Sequence, residues 1–525
     1  VTTATTPEKA APVSTRAAFL FLSILTLLRL IYAANTGLAQ DEAYYWQWSR
    51  HLDYSYYDQG PGIAYFIRFG TLLFGDTSLG VRFSTVLLGA GTGWFSYLTA
   101  LRWMPPRAAW WSLLLCAAAP LFAVGSVIAT YDGPQVFFWA AALYALTRTL
   151  QEKSVAAWYA VGVLVGLGSL CKLTMLLFAP GVLVLLLLSP NYRHWLRTPH
   201  PYLAFVLAMI LFLPVPVWNQ NNDWIGIKHS QTLASRHRGV APLRWFGDFM
   251  GGQLLFAGPI AWFAELALLY HLTRASLQNK AEESAPIKSW GLTPDASRFL
   301  FSFFAPTMVI CVYLSLKSKL EVNWPAPMHL TALMGLGAWF AYLWQNKRRV
   351  VPILSVAFST LFILVVHFPD LVTAVGIRVQ AKPAQKLNET YGWDQVMPVI
   401  DAAREQLAAD GKPYFIAGIN YRADSVLAYY LKGKPETQGL YLNSRRDQYY
   451  IWTDPTKLVG QNALLCLDDV NEDAVALARV YFDRVELVAS PVATRPGIIG
   501  PVKTWFVYRC YNFKGYKPDD HADGY

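Results

Sequence analysis

Apolar stretches of about 20 residues, the length a bilayer's hydrocarbon core demands, recur through the first 370 residues of this chain with very few charges inside them. They read at 17–33, 79–101, 108–127, 133–149, 155–171, 174–190, 201–218, 252–271, 299–316, 324–345 and 350–367, about eleven spans in all. Backbone polar groups in lipid must bond to one another, so such stretches fold as helices. Charged residues make up 15% of the 525 positions, against about 25% in a soluble domain. The predicted fold class is a polytopic α-helical membrane protein. A shorter amphipathic piece, 61–74, reads as an interfacial helix.

The charges orient the spans. Arg102 and Arg107, Arg148 and Lys153, Arg193 and Arg197, 274–288, and Lys347 to Arg349 fall in alternate loops. By the inside bias of Lys and Arg these loops are cytoplasmic. The opposite loops, 34–78, 128–132, the surroundings of Lys172, 219–250 and 317–323, then face outward. Residues 1–16 are Thr-, Ala- and Pro-rich and read as a disordered cytoplasmic tail. The run at 17–33 is long for a signal-peptide core and reads as an uncleaved first span. The net charge of +10 is scattered over short loops, which excludes the basic stripe of a nucleic-acid binder.

From 376 to 525 the chain changes character. Strand-like stretches at 413–418, 463–467, 484–488 and 504–510 alternate with a helical 422–431. This predicts a soluble α/β domain behind a membrane domain of residues 17–375, facing the same side as the polar outer loops. Cys466 and Cys510 fall in it, and in an oxidising compartment they are candidates to pair.

The polar residues of the outer loops are the candidates for chemistry. Asp41 and Glu42 follow the first span in an aromatic-rich loop. Either caps a helix start, or acts as a general base for an acceptor hydroxyl attacking a sugar's anomeric carbon. One carboxylate suffices where the leaving group is a lipid phosphate, since that departs unprotonated. Asp132 opens a span after a very short loop, as an N-cap or as a second acid in the same cavity. Lys172, Lys317 and Lys319 are cations on the outer face, against the inside bias. They read as span-end anchors or as ligands for a phosphate. Tyr44, Tyr45, Tyr57, Asn323 and Trp324 are candidate cavity walls. Asp58, with His229 and His237 from the 219–250 loop, admits a divalent cation.

Together, Asp41-Glu42-Ala43-Tyr44-Tyr45-Trp46, Tyr56-Tyr57-Asp58, Thr130-Tyr131-Asp132-Gly133-Pro134, Cys171-Lys172-Leu173-Thr174 and Asn323-Trp324-Pro325-Ala326-Pro327 resemble bacterial glycosyltransferase family 39 and its relatives. These include protein O-mannosyltransferases and the lipid A aminoarabinose and galacturonic acid transferases. The resemblance covers about 1–370 and implies the GT-C membrane fold, a polyprenyl-phosphate-linked sugar as donor, and inversion at the anomeric carbon. It implies Asp41 as the catalytic Asp of the first outer loop, Asp132 as the acid of the second outer loop, and Lys172 at a phosphate-contacting position. The chain departs from the pattern at Asp58-Gln59-Gly60-Pro61-Gly62, where relatives carry Lys or His before two prolines. Lys317, Lys319 or Arg82 then stands in for the missing cation. The implied place is a bacterial inner membrane with the site facing the periplasm. The acceptor is lipid A or another glycolipid, or alternatively a protein hydroxyl. A transporter of lipid-linked anions is the rival reading from another class. It places ionisable groups near mid-span and uses repeats or broken helices, whereas here the charges cluster at span ends.

Overall fold

In a computed structural model, residues 15–235, 242–277, 285–381, 386–442, 444–516 and 522–523 are described. The N-terminal part is helical throughout. Its elements run α1 Thr15–Asn35, α2 Gln40–Arg50, α3 Gly62–Phe74, α4 Ser78–Trp103, α5 Pro106–Ala118, α6 Pro120–Gly125, α7 Asp132–Glu152, α8 Val155–Cys171 and α9 Phe178–Leu188. Then come α10 His200–Phe212, α11 Pro214–Asn221, α12 Ile225–Ser235, α13 Pro242–Ala257, α14 Pro259–Leu277, α15 Ala285–Ser289, α16 Pro294–Ser315, α17 Ala326–Gln345, α18 Val350–His367 and α19 Asp370–Ala374.

Helices occupy every stretch read as a span, but several are broken. Among the described residues, four helices are long and apolar enough to cross a membrane by length and composition, or five if a bent pair counts as one. The stretch 252–271 is that pair: α13 and α14 meet at 111°. Gly258 takes a left-handed φ of 86° there, which glycine adopts without strain, and Pro259 has no N–H to continue α13. Pro120 interrupts 108–127 for the same reason, and a 3-10 turn over Leu173–Leu177 precedes α9. At the centre α17 is buried along almost its whole length, packed against α5, α14 and α16. At the rim α1 and α18 expose Phe19, Leu20, Ile24, Leu27, Ile353, Leu354, Phe358 and Leu361, apolar faces that suit lipid rather than water.

The C-terminal part adds α20 Trp393–Ala408, α21 Tyr421–Tyr430, α22 Gln448–Trp452 and α23 Glu472–Tyr481. Five strands pair into one sheet: β1 Tyr414–Gly418, β2 Gln438–Gly439, β3 Asn462–Leu467, β4 Phe482–Ala489 and β5 Phe506–Phe513, in the order β2-β1-β3-β5-β4. β2, β1 and β3 are parallel, and β5 is antiparallel to both β3 and β4. α20 and α23, which the sequence reading missed, cover opposite faces of the sheet.

The period of two along a strand decides two things. Ile416, Leu464, Cys466 and Val507 face one layer and Phe415, Ala463, Leu465 and Cys510 the other. Cys466 and Cys510 therefore lie on opposite faces and stand as free thiols, so the candidate pairing does not form. The first layer is also continuous with Tyr44, Trp46 and Trp48 of α2 and Ile63 of α3. The C-terminal part thus shares a core with the loop that carries Asp41. Arg495 adds a bidentate bond to Asp370 at 2.8 Å on both oxygens, which fixes it to α19 as well.

Candidate active site

α2 begins with Ala39 extended, and Asp41 and Glu42 occupy its first turn, where negative charge suits the free N–H groups. The two acids then diverge. Glu42 points inward with no exposure. Its carboxylate takes Arg82 Nε at 2.7 Å and Nη2 at 2.6 Å, the Ala39 N–H at 2.9 Å and the Ala129 N–H at 2.8 Å. Arg82, equally buried, also donates to the carbonyls of Thr36 (3.0 Å) and Gly37 (2.7 Å). These bonds correct two expectations. Arg82 has no face left for a donor phosphate, and Glu42 is a structural anchor joining α2, α4 and the 128–131 loop.

Asp41 points the other way, with 36% of its side chain exposed. Tyr421 Oη donates to Oδ1 at 3.2 Å and Arg422 Nε lies 3.5 Å from the same oxygen. Oδ2 carries no hydrogen bond to the described residues. Tyr421 and Arg422 open α21, whose start is set by the Asn420 side chain accepting from the N–H groups of Arg422 and Ala423 at 3.0 Å each. The sequence reading missed this pair. The available signal was the Asn-Tyr-Arg run between a strand and a helix.

Asp132 is the first residue of α7. Lys172 Nζ donates to Oδ1 at 2.6 Å and Asn323 Nδ2 to Oδ2 at 2.9 Å. Lys172 sits in the extended residue that ends α8, nearly buried, with its ammonium 5.0 Å from the Tyr131 ring centre. Asn323 has its own support. Gln253 donates to the neighbouring Val322 carbonyl at 3.0 Å, and Gln253 meets His329 at 2.9 Å, which meets Glu265 at 2.8 Å. That buried chain was not read from the sequence either.

Tyr131 links the two acids. Its ring stands 5.6 Å from that of Tyr45. Burial, then the charges of Asp132, Asp58 and Asp41, hold its hydroxyl well above the ordinary tyrosine range. Three carboxylates thus converge on one aromatic wall.

Asp58 is the third. It accepts from Tyr44 Oη at 2.8 Å and Arg445 Nη1 at 3.2 Å, with His229 Nε2 at 3.3 Å. Burial alone would raise its carboxyl, but the bond to His229 and the charge of Arg445 outweigh it and bring it to about 2. Among the described residues no three His, Cys, Asp or Glu side chains gather around a metal position. Arg445 supplies the positive charge beside Asp58 and His229, and His237 lies outside the described residues. Gly60 and Gly62 bring this loop against the end of α8, where a Cβ would collide with the Leu170 carbonyl and with Cys171.

Other candidates fall elsewhere. Tyr57 is fully buried among Trp218, Ile225 and His229, so it is packing rather than cavity wall. Tyr44 and Tyr45 are also buried, in the core shared with the C-terminal part. Trp324 packs beside Phe249 and Leu320. Lys317 and Lys319 are exposed after α16, Lys317 over Tyr313 and Lys319 3.8 Å from Glu321. Neither bonds to Asp41, Asp58 or Asp132.

Asp447 gives the site a pH signature. It accepts from Tyr441 Oη and from the N–H groups of Tyr421 and Tyr449. Burial pushes its carboxyl up to about 6, in spite of Arg445 and helped by the charge of Asp58. A folded-state value above the unfolded one means that stability is full below about pH 4 and falls as pH rises through 6. Thermal unfolding of Asp447→Asn should lose that fall, on the order of 3 kcal/mol, whereas an unchanged profile would assign it to another group.

Residues 58–218 match the family model for dolichyl-phosphate-mannose-protein mannosyltransferase. The chain is 29% identical over 360 residues to lipid A galacturonosyltransferase RgtD of Rhizobium johnstonii, covering 68% of this chain and 72% of that one. It is 29% identical over 215 residues to the undecaprenyl phosphate-alpha-4-amino-4-deoxy-L-arabinose arabinosyl transferase of Pseudomonas paraeruginosa, covering 37% of this chain and 39% of that one. Among solved structures, ArnT from Cupriavidus metallidurans, crystallised in the apo state and bound to undecaprenyl phosphate, superposes with a TM-score of 0.58 at 18% identity, over 94% of this chain and 98% of that one. At that identity the likeness shows the fold, which is GT-C.

Proposed function

We propose that this chain is an inverting glycosyltransferase. It moves a sugar from a polyprenyl-phosphate donor to a hydroxyl or phosphate of lipid A or a similar glycolipid. The observation that carries the reading is Asp41: a half-exposed carboxylate with one oxygen held by Tyr421 and Arg422 and the other open. Beside it lies the Asp132–Lys172–Asn323 cluster. The likeness to lipid A galacturonosyltransferase and to the arabinosyl transferase supports the donor and acceptor classes.

In this reading Asp41 Oδ2 takes the proton of the acceptor as its oxygen attacks the anomeric carbon. The bond to the lipid phosphate breaks on the opposite face, and the phosphate leaves as an anion. Lys172 and Asn323, now turned to Asp132, stabilise that growing charge. The helices of 17–375 make about eleven crossings of a bacterial inner membrane, and residues 376–525 form a periplasmic α/β unit over the site. The loops rich in Lys and Arg lie in the cytoplasm.

The test uses purified full-length protein in lipid nanodiscs, with lipid A and a panel of polyprenyl-phosphate sugars, read by mass spectrometry. A new covalent product supports the transferase. Movement of donor between leaflets without a product would make the chain a transporter. Lys172→Gln is expected to raise KM for the donor at least tenfold with a smaller change in kcat. A loss confined to kcat would instead mean that Lys172 meets only the charge that grows as the phosphate leaves and does not hold the donor beforehand.

A further inference from the structure

Gln253, Glu265 and His329 are enclosed among α13, α14 and α17, each with at most 1% of its surface exposed. Ionisable groups inside a membrane bundle are costly to keep, and the transfer proposed above uses none of the three. Their donors and acceptors follow from the geometry. Gln253 Nε2 lies 3.0 Å from the Val322 carbonyl and 3.4 Å from that of Phe249. Two carbonyls around one end of the amide make that end the donor, so Oε1 is the end that meets His329. Oε1 only accepts, so His329 Nε2, 2.9 Å away, carries a hydrogen and donates it. His329 Nδ1 then faces Glu265 Oε2 at 2.8 Å. Both of those atoms are acceptors unless a proton lies between them. The pair therefore holds one shared proton and carries no net charge, which suits its enclosure.

His329 reaches both arms of the bent helix pair. Gln253 belongs to α13 and Glu265 to α14, on either side of the 111° break. Pro259 supplies no N–H at the break, so the angle depends on side chains that bridge it. The α13 arm in turn supports the loop before α17. Gln253 bonds the Val322 carbonyl there. Gly252 lets α13 seat closely on the same residue, since a Cβ at that position would collide with the Val322 side chain. The next residue is Asn323, whose Nδ2 donates to Asp132 at 2.9 Å. One connected run of bonds thus leads from the shared proton to the site.

We infer that His329 is a positioning residue of the site: with Glu265 it clamps the α13–α14 bend, and through Gln253 and Val322 it sets Asn323 against Asp132. The inference rests on the proposed reading of Asn323 as a group that meets the donor's phosphate. The clamp itself touches neither donor nor acceptor, so all of its effect on the site passes through Asn323.

The test is a double-mutant cycle on the full chain in detergent, with binding of undecaprenyl phosphate read by native mass spectrometry. That probe carries the phosphate in its departed, fully charged state. Asn323→Ala and His329→Leu should each weaken binding by about tenfold, and the double variant should bind no worse than Asn323→Ala alone, the coupling expected of groups that act in series. Losses that multiply would make His329 a packing residue and overturn the proposal. A second comparison leaves His329 in place and decides the matter should His329→Leu not fold. Glu265→Leu should weaken binding several-fold, and Glu265→Gln should recover most of that loss, because its amide still donates to Nδ1. Equal losses in Glu265→Leu and Glu265→Gln overturn the clamp. A wild type that binds no undecaprenyl phosphate defeats the donor reading and this inference with it. A wild type that binds it while the losses multiply defeats the clamp alone.

Discussion

Asp41→Asn should reduce transfer by about 10³-fold, within the ~10²–10⁴ that a positioned general base contributes, at unchanged protein level and fold. The substitution suits the question because Asn is the same size. Its carbonyl oxygen still accepts from Tyr421, and the neighbouring Arg422 loses only a partly exposed ion pair, worth roughly 0–1 kcal/mol. What the amide cannot do is take a proton at the position of the open Oδ2. Cells carrying the variant should therefore accumulate the lipid-linked donor while one glycolipid product disappears from their membranes, and a single mass-spectrometric comparison reads both. Asp132→Asn should behave differently. Asp132 is bonded on both oxygens, so its loss frees Lys172 and Asn323 and falls first on donor KM. Should Asp41→Asn keep more than a tenth of wild-type turnover, the base lies elsewhere in the cluster.

Much of this arrangement was legible in the sequence, for reasons that can be named. Hydropathy located the helices because lipid forces backbone satisfaction within each segment. The breaks at Gly258–Pro259 and Ala119–Pro120 were legible too, from proline chemistry, but an average over 20 residues smooths them away. Asp41, Asp132, Lys172 and Asn323 announced themselves as polar residues at span ends. The partners of those residues did not. Which of two adjacent acids faces outward depends on the helix phase of α2, set by its packing against α21, where Trp46 meets Tyr429, hundreds of residues later. Arg82 looked like a spare cation because nothing local says that a residue 40 positions earlier will neutralise it. Arg445 and Arg422 reach the first outer loop only through the fold of the C-terminal part. Long-range pairing decides each of these, and periodicity is silent about it.

The Glu42–Arg82 pair carries the largest expected effect on stability. Arg82→Met keeps the volume of the side chain and removes its charge. Glu42 is then left fully buried with two backbone donors, Ala39 and Ala129, and no cation. Breaking a buried pair from one side costs about 3–5 kcal/mol, so the detergent-solubilised variant should unfold well below the wild type. The double variant Glu42→Gln with Arg82→Met should recover part of the loss. The neutral amide oxygen can still accept one of those two bonds, and no charge remains to be desolvated. The same pair should also govern activity without touching a reactant. Glu42 holds the start of α2, and with it Asp41, and it holds the 128–131 loop that leads into Asp132. Glu42→Gln alone should therefore lower kcat several-fold with little change in KM, since it loosens the positions of two acids rather than a binding contact. If the single and double variants unfold together, the penalty of a lone buried charge is not what the pair averts, and its role reduces to packing.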